Sequence, residues 1–230
     1  MILNDRQTEM LNALKTEKRM SVSSLAKRFF VSDMTVRRDL KLLESEGYIK
    51  RYKGGAVCVS DESLLPIEMR MYIHADQKST LAKRTVKYLH DSMNVFIGCS
   101  TTCMYVIPLL AEYKDVKIVT NSVQTVMAAS ERNIPCTLIG GEYIKHEMCT
   151  VGGAAESALR NMNIDISFLS SASLSDDGII SDSYEALVSL RKAVIGSSDI
   201  VVALMDSHKL HKKSLYTLCR AEDVTELIIL

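Results

Sequence analysis

The chain has 230 residues, 47% of them hydrophobic, and its 28 basic and 28 acidic side chains cancel. This composition supplies one or two packed cores and excludes a disordered chain, and the absence of any apolar run near the ~18 residues a membrane span needs excludes a transmembrane helix. The cancellation is uneven: residues 1–57 carry twelve Lys/Arg against seven Asp/Glu, a balance of +5, and the remainder carries −5.

A basic segment on an acidic body points to an anionic partner for the first part only. No secretory pattern opens the chain, since charged residues begin at Asp5, so a cytoplasmic location is expected. The six cysteines, at 58, 99, 103, 136, 149 and 219, read as reduced thiols in a reducing compartment. Cys99 with Cys103, and His146 with Cys149, do not have a zinc-ligand spacing; no metal and no cofactor are expected.

Taken in order, residues 4–17 open with Asn4 and Gln7, a capping-box pair, followed by Met10, Leu11 and Leu14 on one helical stripe. Ser21 is the next N-cap, ahead of Val22, Leu25, Ala26, Phe29 and Phe30 at helical spacing. Ser32 caps a third helix that runs to Gly47. Its buried stripe is Val36, Leu40 and Leu43, and at 100° per residue Met34, Arg37, Arg38 and Lys41 fall opposite. Tyr48–Val57 reads as a hairpin with Gly54-Gly55 at or beside its turn. Helix, helix, short turn, helix and basic hairpin is the order of a winged helix-turn-helix.

That order assigns chemistry. The third helix is expected to enter the major groove of double-stranded DNA, with Met34, Arg37, Arg38 and Lys41 facing base edges and phosphates; a three-helix oligomerisation or protein-docking domain with a solvated basic face is the other reading of the pattern. Ser21, Ser32 and Thr35 supply short hydroxyls for phosphates, and Lys50, Arg51 and Lys53 on the wing reach the adjacent backbone. Asp39 is a structural acid that orients an arginine, because a carboxylate facing phosphates would repel them.

Residues 58–77 contain Pro66 and no clear period, and read as a linker. From Lys78 a second domain of 78–230 begins, with a helix through Leu81, Ala82, Thr85, Val86 and Leu89. Strands at Asn94–Gly98, Lys117–Thr120, Cys136–Ile139, Ile164–Leu169, Ile200–Leu204 and Leu227–Leu230 alternate with helices at Thr102–Leu110, Val123–Ser130, Ala154–Met162 and Glu185–Gly196. The fold class is therefore α/β: a winged helix-turn-helix followed by a doubly wound, largely parallel sheet. Ligands of such sheets sit beyond the carboxyl ends of the strands, where this sequence places Gly98, Cys99, Ser100, Thr101, Thr102, Asn121, Ser122, Gly140, Gly141 and Lys209. Hydroxyls and free amides there suit a phosphate, with Lys209 as a point charge; ordinary βα turns share that composition.

The segment SSLAKRFFVSDMTVRRDLKLLESEGYIKRYKGGA resembles the N-terminal signature of the DeoR family of bacterial transcriptional regulators, through Val31, Ser32, Thr35–Leu40, Leu43, Glu44, Gly47 and Gly54–Ala56. The resemblance continues through Thr101, Thr102, Thr120–Ser122, Gly140, Gly141, Val151, Gly152, Glu185, Ala186, Asp206, Ser207 and Lys209. It implies a ribose-5-phosphate-isomerase-like C-terminal domain that senses a phosphorylated sugar or related metabolite, with Glu185 in the site. It also implies a repressor acting on operator DNA as a homo-oligomer, a dimer or a tetramer. Gly98 stands where the family has Asp, Ser100 where it has Gly and Ser189 where it has Lys, and Phe168–Asp177 departs from the family's glycine-containing run.

Two other readings have their own signatures. A sugar-phosphate isomerase needs a positioned general base near its substrate, and no acid/base constellation is identifiable among Glu142, Glu185 and Asp206. A regulator whose altered sensor domain only oligomerises is the other, motivated by Gly98 and Ser100.

Overall fold

Asn4 opens the first helix as its spacing predicts. The Gln7 amide donates to the Asn4 side chain at 2.9 Å and the Asn4 amide donates back to Gln7 Oε1 at 3.1 Å. This reciprocal pair satisfies two donors that a helix start leaves unpaired. A computed structural model of the chain describes residues 3–17, 19–58, 67–71 and 73–230, with backbone only at 68 and 69. It divides into two compact units, residues 1–70 and 71–230.

In the first unit α1 (Asp5–Glu17), α2 (Val22–Phe29) and α3 (Asp33–Ser45) enclose a small core. Met10, Leu14, Leu25, Val36, Leu40 and Leu43 are all at most 1% exposed. Ser21 and Ser32 cap α2 and α3, accepting from the Ser24 and Thr35 amides. The wing is β2 (Ile49–Tyr52) and β3 (Gly55–Cys58), with Tyr52 opposite Gly55, so the turn is Lys53-Gly54. A third strand, β1 (Arg19–Ser21), pairs with β3 on its other side. At three residues it is too short to show an alternating pattern.

The segment read as a linker is partly structured. Ile67–Arg70 forms a helical turn (α4), and α5 (Ala75–Lys83) begins three residues before the expected domain start. Residues 59–66 of that segment lie outside the described residues. Lys78, Leu81 and Ala82 are buried at i, i+3 and i+4, so α5 is an amphipathic helix with a lysine on its buried stripe. It ends at Lys83, and Val86–Tyr88, expected to continue it toward Leu89, is a separate 3-10 turn.

The second unit is built on six parallel strands: β4 (Asn94–Ile97), β5 (Lys117–Thr120), β6 (Cys136–Leu138), β9 (Ile164–Leu169), β12 (Ser198–Met205) and β14 (Glu226–Ile229). Their order is β14-β12-β9-β4-β5-β6. The chain winds outward from β4 to β6 and then from β9 to β14 on the opposite side, so the direction reverses between β4 and β9, the crevice where doubly wound sheets take ligands. Helices α8 (Val123–Ser130), α9 (Gly153–Arg160) and α10 (Glu185–Gly196) match their sequence periods. The helix expected at Thr102–Leu110 is two single turns, α6 (Thr101–Met104) and α7 (Ile107–Leu110), with Pro108 near the start of the second. Proline lacks the amide an uninterrupted helix needs.

Short antiparallel strands complete the unit. β7 (Glu142–Ile144) pairs with β8 (Cys149–Val151), and β10 (Ser173–Leu174), β11 (Ile179–Asp182) and β13 (Tyr216–Arg220) form a three-stranded sheet. Gly141 must be glycine: its φ is +150° and a Cβ would stand 2.4 Å from the Val151 carbonyl oxygen of β8.

Candidate functional site

In the first unit the buried stripe of α3 fixes its opposite face outward. Ser32, Met34, Arg37, Arg38 and Lys41 are exposed and Thr35 is half-buried. Lys50, Arg51 and Lys53 on the wing are exposed, and Ser21 is half-buried. A groove of about 330 Å³ runs between α3 and the wing, lined by Arg37, Arg51, Lys53 and Tyr52 among others. The structure thus brings the cationic residues of helix and wing to one face.

Two anions on α3 are kept from opposing that face. Asp39 is 1% exposed; it accepts from Arg6 Nε at 2.9 Å and from Gln7 Nε2 at 3.0 Å. The arginine it orients therefore lies on α1, and the capping residue Gln7 also docks α1 on α3. Glu44 accepts from the Arg51 amide at 2.8 Å and from its Nε at 2.6 Å, and these bonds, the amide first, hold the Glu44 carboxyl below its usual range. Arg51 thereby ties the wing to α3, in addition to lining the groove.

In the second unit the residues after the strand ends divide into two groups. At the β4/β9 crevice, Lys209 Nζ donates to Ser170 Oγ at 2.7 Å and to Thr102 Oγ1 at 3.4 Å, and stands 3.7 Å from Asp206 Oδ2. Lys78 Nζ donates to Thr101 Oγ1 at 3.0 Å and is buried. Two ammonium groups and three hydroxyls thus gather at the ends of β4, β9 and β12. Gly98, Cys99 and Ser100 form the turn below them: the Gly98 amide donates to the Phe168 carbonyl, and Ser100 caps α6. Gly98 is not required by its backbone, since a Cβ there would meet the Phe168 oxygen at an ordinary 3.4 Å.

Asn121 and Ser122, after β5, border this group. Asn121 Nδ2 donates to the Thr150 carbonyl at 2.9 Å, and Ser122 Oγ accepts from the Thr125 amide. Gly140 and Gly141 follow β6, two places from β4 in the sheet order, and Gly141 lies against Val151, which packs in one buried cluster with Cys99. The packing requirement of Gly141 accounts for its identity. Glu185 is exposed at the first position of α10.

Sequence reasoning missed a buried ion pair behind the crevice. Asp182 and Arg191 are both about nineteen-twentieths buried, with Arg191 Nη1 donating to Asp182 Oδ2 at 2.6 Å. The same oxygen accepts from Ser171 Oγ and the Ala172 amide, so the pair sets the loop that carries Ser170. Burial pushes the Asp182 carboxyl up, but Arg191, the Ser183 amide and the Ser171 hydroxyl outweigh it and leave the carboxyl lowered. Nothing in the sequence signals that pairing. Lys78 had a signal, its place on the apolar stripe of α5. Cys99, Cys103 and Cys149 are buried; burial pushes the Cys103 thiol up to about 12, whereas the Cys149 side chain beside Cys99 holds the Cys99 thiol below its usual value.

Comparison with known proteins agrees with both halves. Residues 6–62 match the DeoR-like helix-turn-helix domain and residues 73–229 the DeoR C terminal sensor domain. The HTH-type transcriptional regulator IolR of Bacillus subtilis is 30% identical over 213 residues, 92% of this chain and 85% of its own. The transcriptional repressor AccR of Agrobacterium fabrum is 28% identical over 97% of this chain and 88% of its own, and the L-fucose operon activator of Haemophilus influenzae is 28% identical over 94% and 87%. Among solved structures, eIF2B delta from Chaetomium thermophilum aligns with 90% of this chain and 75% of its own at a TM-score of 0.51 and 11% identity, a likeness of fold alone. No helix among the described residues is long and apolar enough to cross a membrane. With a buried stripe fixing a cationic helix face, a wing beside it and both family models matched, the chain belongs to the DeoR family of helix-turn-helix transcriptional regulators.

Proposed function

We propose that this chain is a repressor, without enzymatic activity, whose grip on operator DNA is set by a small phosphorylated metabolite of the sugar-phosphate class. Residues 1–57 hold the DNA through Met34, Arg37, Arg38, Lys41 and the wing cations. The domain from α5 onward takes the effector in the β4/β9 crevice and assembles the chain as a homo-oligomer in the cytoplasm. The observation that carries the effector reading is the convergence of Lys209 and Lys78 on Thr101, Thr102 and Ser170. A phosphate dianion is the complement of two ammonium groups, three hydroxyls and backbone amides in a low-dielectric crevice. The names of two relatives mention repression and activation; repression is the reading adopted here, with operator affinity falling when effector binds.

The isomerase alternative has less support. A base must reach the substrate proton it takes, and Asp206 is buried, with one oxygen accepting from the His208 amide and the other 3.7 Å from the Lys209 ammonium, which favours a positioning role. Gly98 contributes no carboxylate.

The test is selection of bound duplexes from a random pool by the full chain. Binding of the selected DNA is then measured with ribose 5-phosphate, a panel of other aldose and ketose phosphates, and inorganic phosphate. The expected result is one sugar phosphate that lowers DNA affinity about tenfold, a coupling of roughly 1.4 kcal/mol, with the effect lost in Lys209→Ala. No enriched DNA would end the regulator reading. Enriched DNA that no phosphate affects, with no stabilisation of the chain by any of them, would leave the second unit an oligomerisation domain, as the changes at Gly98 and Ser100 allow.

A further inference from the structure

Phe30 is the residue of the first unit that its own fold does not explain. It ends α2 in the left-handed region, with φ 53° and ψ 41°, and is 95% exposed. Glycine or asparagine normally fills such a cap, because a Cβ is strained there. The turn itself is well made, since the Phe30 and Val31 amides both donate to the Ala26 carbonyl. Only the side chain is out of place, on a strained backbone and with its ring in water. An outlier of that kind is a pointer to function.

Its position says what the ring is for. Phe30 lies two residues before the α3 cap Ser32, and Met34, 77% exposed, lies two residues after it. The other large apolar side chains exposed among the described residues of this unit, Tyr52 and Val57, are 40% and 37% exposed. Apolar surface is therefore concentrated at the leading end of α3, beside the cations Arg37, Arg38 and Lys41. A helix that reads the major groove does so with its first turns, and the apolar feature that groove offers is the thymine 5-methyl group.

Resting on the reading of α3 as the groove helix, we propose that Phe30 reads DNA sequence by packing its ring on thymine methyl groups at the edge of each half-site, with Met34 beside it. Arg37 and Arg38 supply attraction and hydrogen bonds; Phe30 supplies discrimination for thymine. The cost of the strained cap is retained because a glycine there would present no ring to the base.

The experiment uses the full chain, DNA selected by it, the same DNA with deoxyuridine in place of thymine one position at a time, and a random duplex. Phe30→Gly suits the left-handed cap, so the variant is expected to melt at or above the wild-type temperature. Its affinity for the selected DNA is expected to fall about tenfold and its affinity for the random duplex to stay within about twofold. Deoxyuridine at one or two positions weakens the wild type about fivefold and leaves Phe30→Gly unchanged. Equal affinity of Phe30→Gly and wild type for the selected DNA overturns the proposal. So does an equal loss on both duplexes without any uridine effect, which would mean a sugar–phosphate contact, or a change confined to the sedimentation coefficient, which would mean contact with a second copy. In each of these cases Arg37→Ala and Arg38→Ala still lose DNA binding, which separates them from failure of the groove-helix reading itself.

Discussion

Replacing Asp39 by alanine separates two roles for an acid on a DNA-binding helix. If Asp39 faced DNA, removing it would relieve repulsion and raise affinity. The structure gives the opposite expectation. The carboxylate is 1% exposed and holds Arg6 and Gln7 of α1. Alanine leaves the buried Gln7 amide unpaired, about 1–3 kcal/mol, and removes a charge-assisted bond to Arg6, about 1–2 kcal/mol after discounting for the guanidinium's partial exposure. A loss of roughly 2–5 kcal/mol in a unit of this size lowers its melting temperature by on the order of 10–40 °C. Circular dichroism melting of the full chain measures the shift of the transition of the first unit. Fluorescence anisotropy in the cold, where both proteins are folded, measures DNA affinity. A melting temperature unchanged within about 2 °C, or a variant that binds DNA more tightly than wild type, would refute the structural role.

Other consequences follow from the second unit. Because the Asp182 carboxyl is held below its usual 3.8, its stabilising contribution is fully present above that value and is lost as pH falls through the lower, folded-state value. Acid unfolding of the second unit is therefore expected to begin below about pH 4, and Asp182→Asn is expected to be less stable at neutral pH with a flatter acid limb; a wild-type acid limb retained in the variant would contradict this. Arg191→Ala strands the buried carboxylate and is expected to cost about 3–5 kcal/mol in urea unfolding. Gly141→Ala, strained at φ +150° and 2.4 Å from the Val151 oxygen, is expected to lose at least about 2 kcal/mol. Gly98→Ala, with 3.4 Å of clearance, is expected to stay within about 1 kcal/mol of wild type.

The parts of this fold that were legible in the sequence are those made by local physics. The caps at Asn4, Ser21 and Ser32, the stripe Val36–Leu40–Leu43 and the apolar strands of the parallel sheet each carry their signal within a few residues. The outward face of α3 followed from the stripe alone. What was not legible depends on partners far along the chain. Asp39 was read as orienting an arginine, but that the arginine is Arg6, 33 residues away, is a property of helix packing. Asp182–Arg191 and Lys209–Ser170 are likewise tertiary. Strands of two to four residues, such as β1, β7, β8 and β10, are too short for an alternating pattern to show. The continuous apolar spacing of Thr102–Leu110 predicts one helix, but Pro108 supplies no amide and the segment forms two turns. The close approach of Gly141 to the Val151 carbonyl of β8, which demands glycine there whatever else the turn does, is likewise invisible in the sequence.

Binding of duplex DNA by the exposed cations of α3 and the wing is tested by its salt dependence for wild type, Arg37→Ala, Arg38→Ala and Lys53→Ala. For each phosphate neutralised, the logarithm of the binding constant falls by about 0.9 per decade of salt. The account predicts a steep wild-type slope, and in each variant a weaker affinity with a slope shallower by about one where the lost cation met a phosphate. A flat wild-type slope, or three variants that match wild type in both affinity and slope, would contradict it.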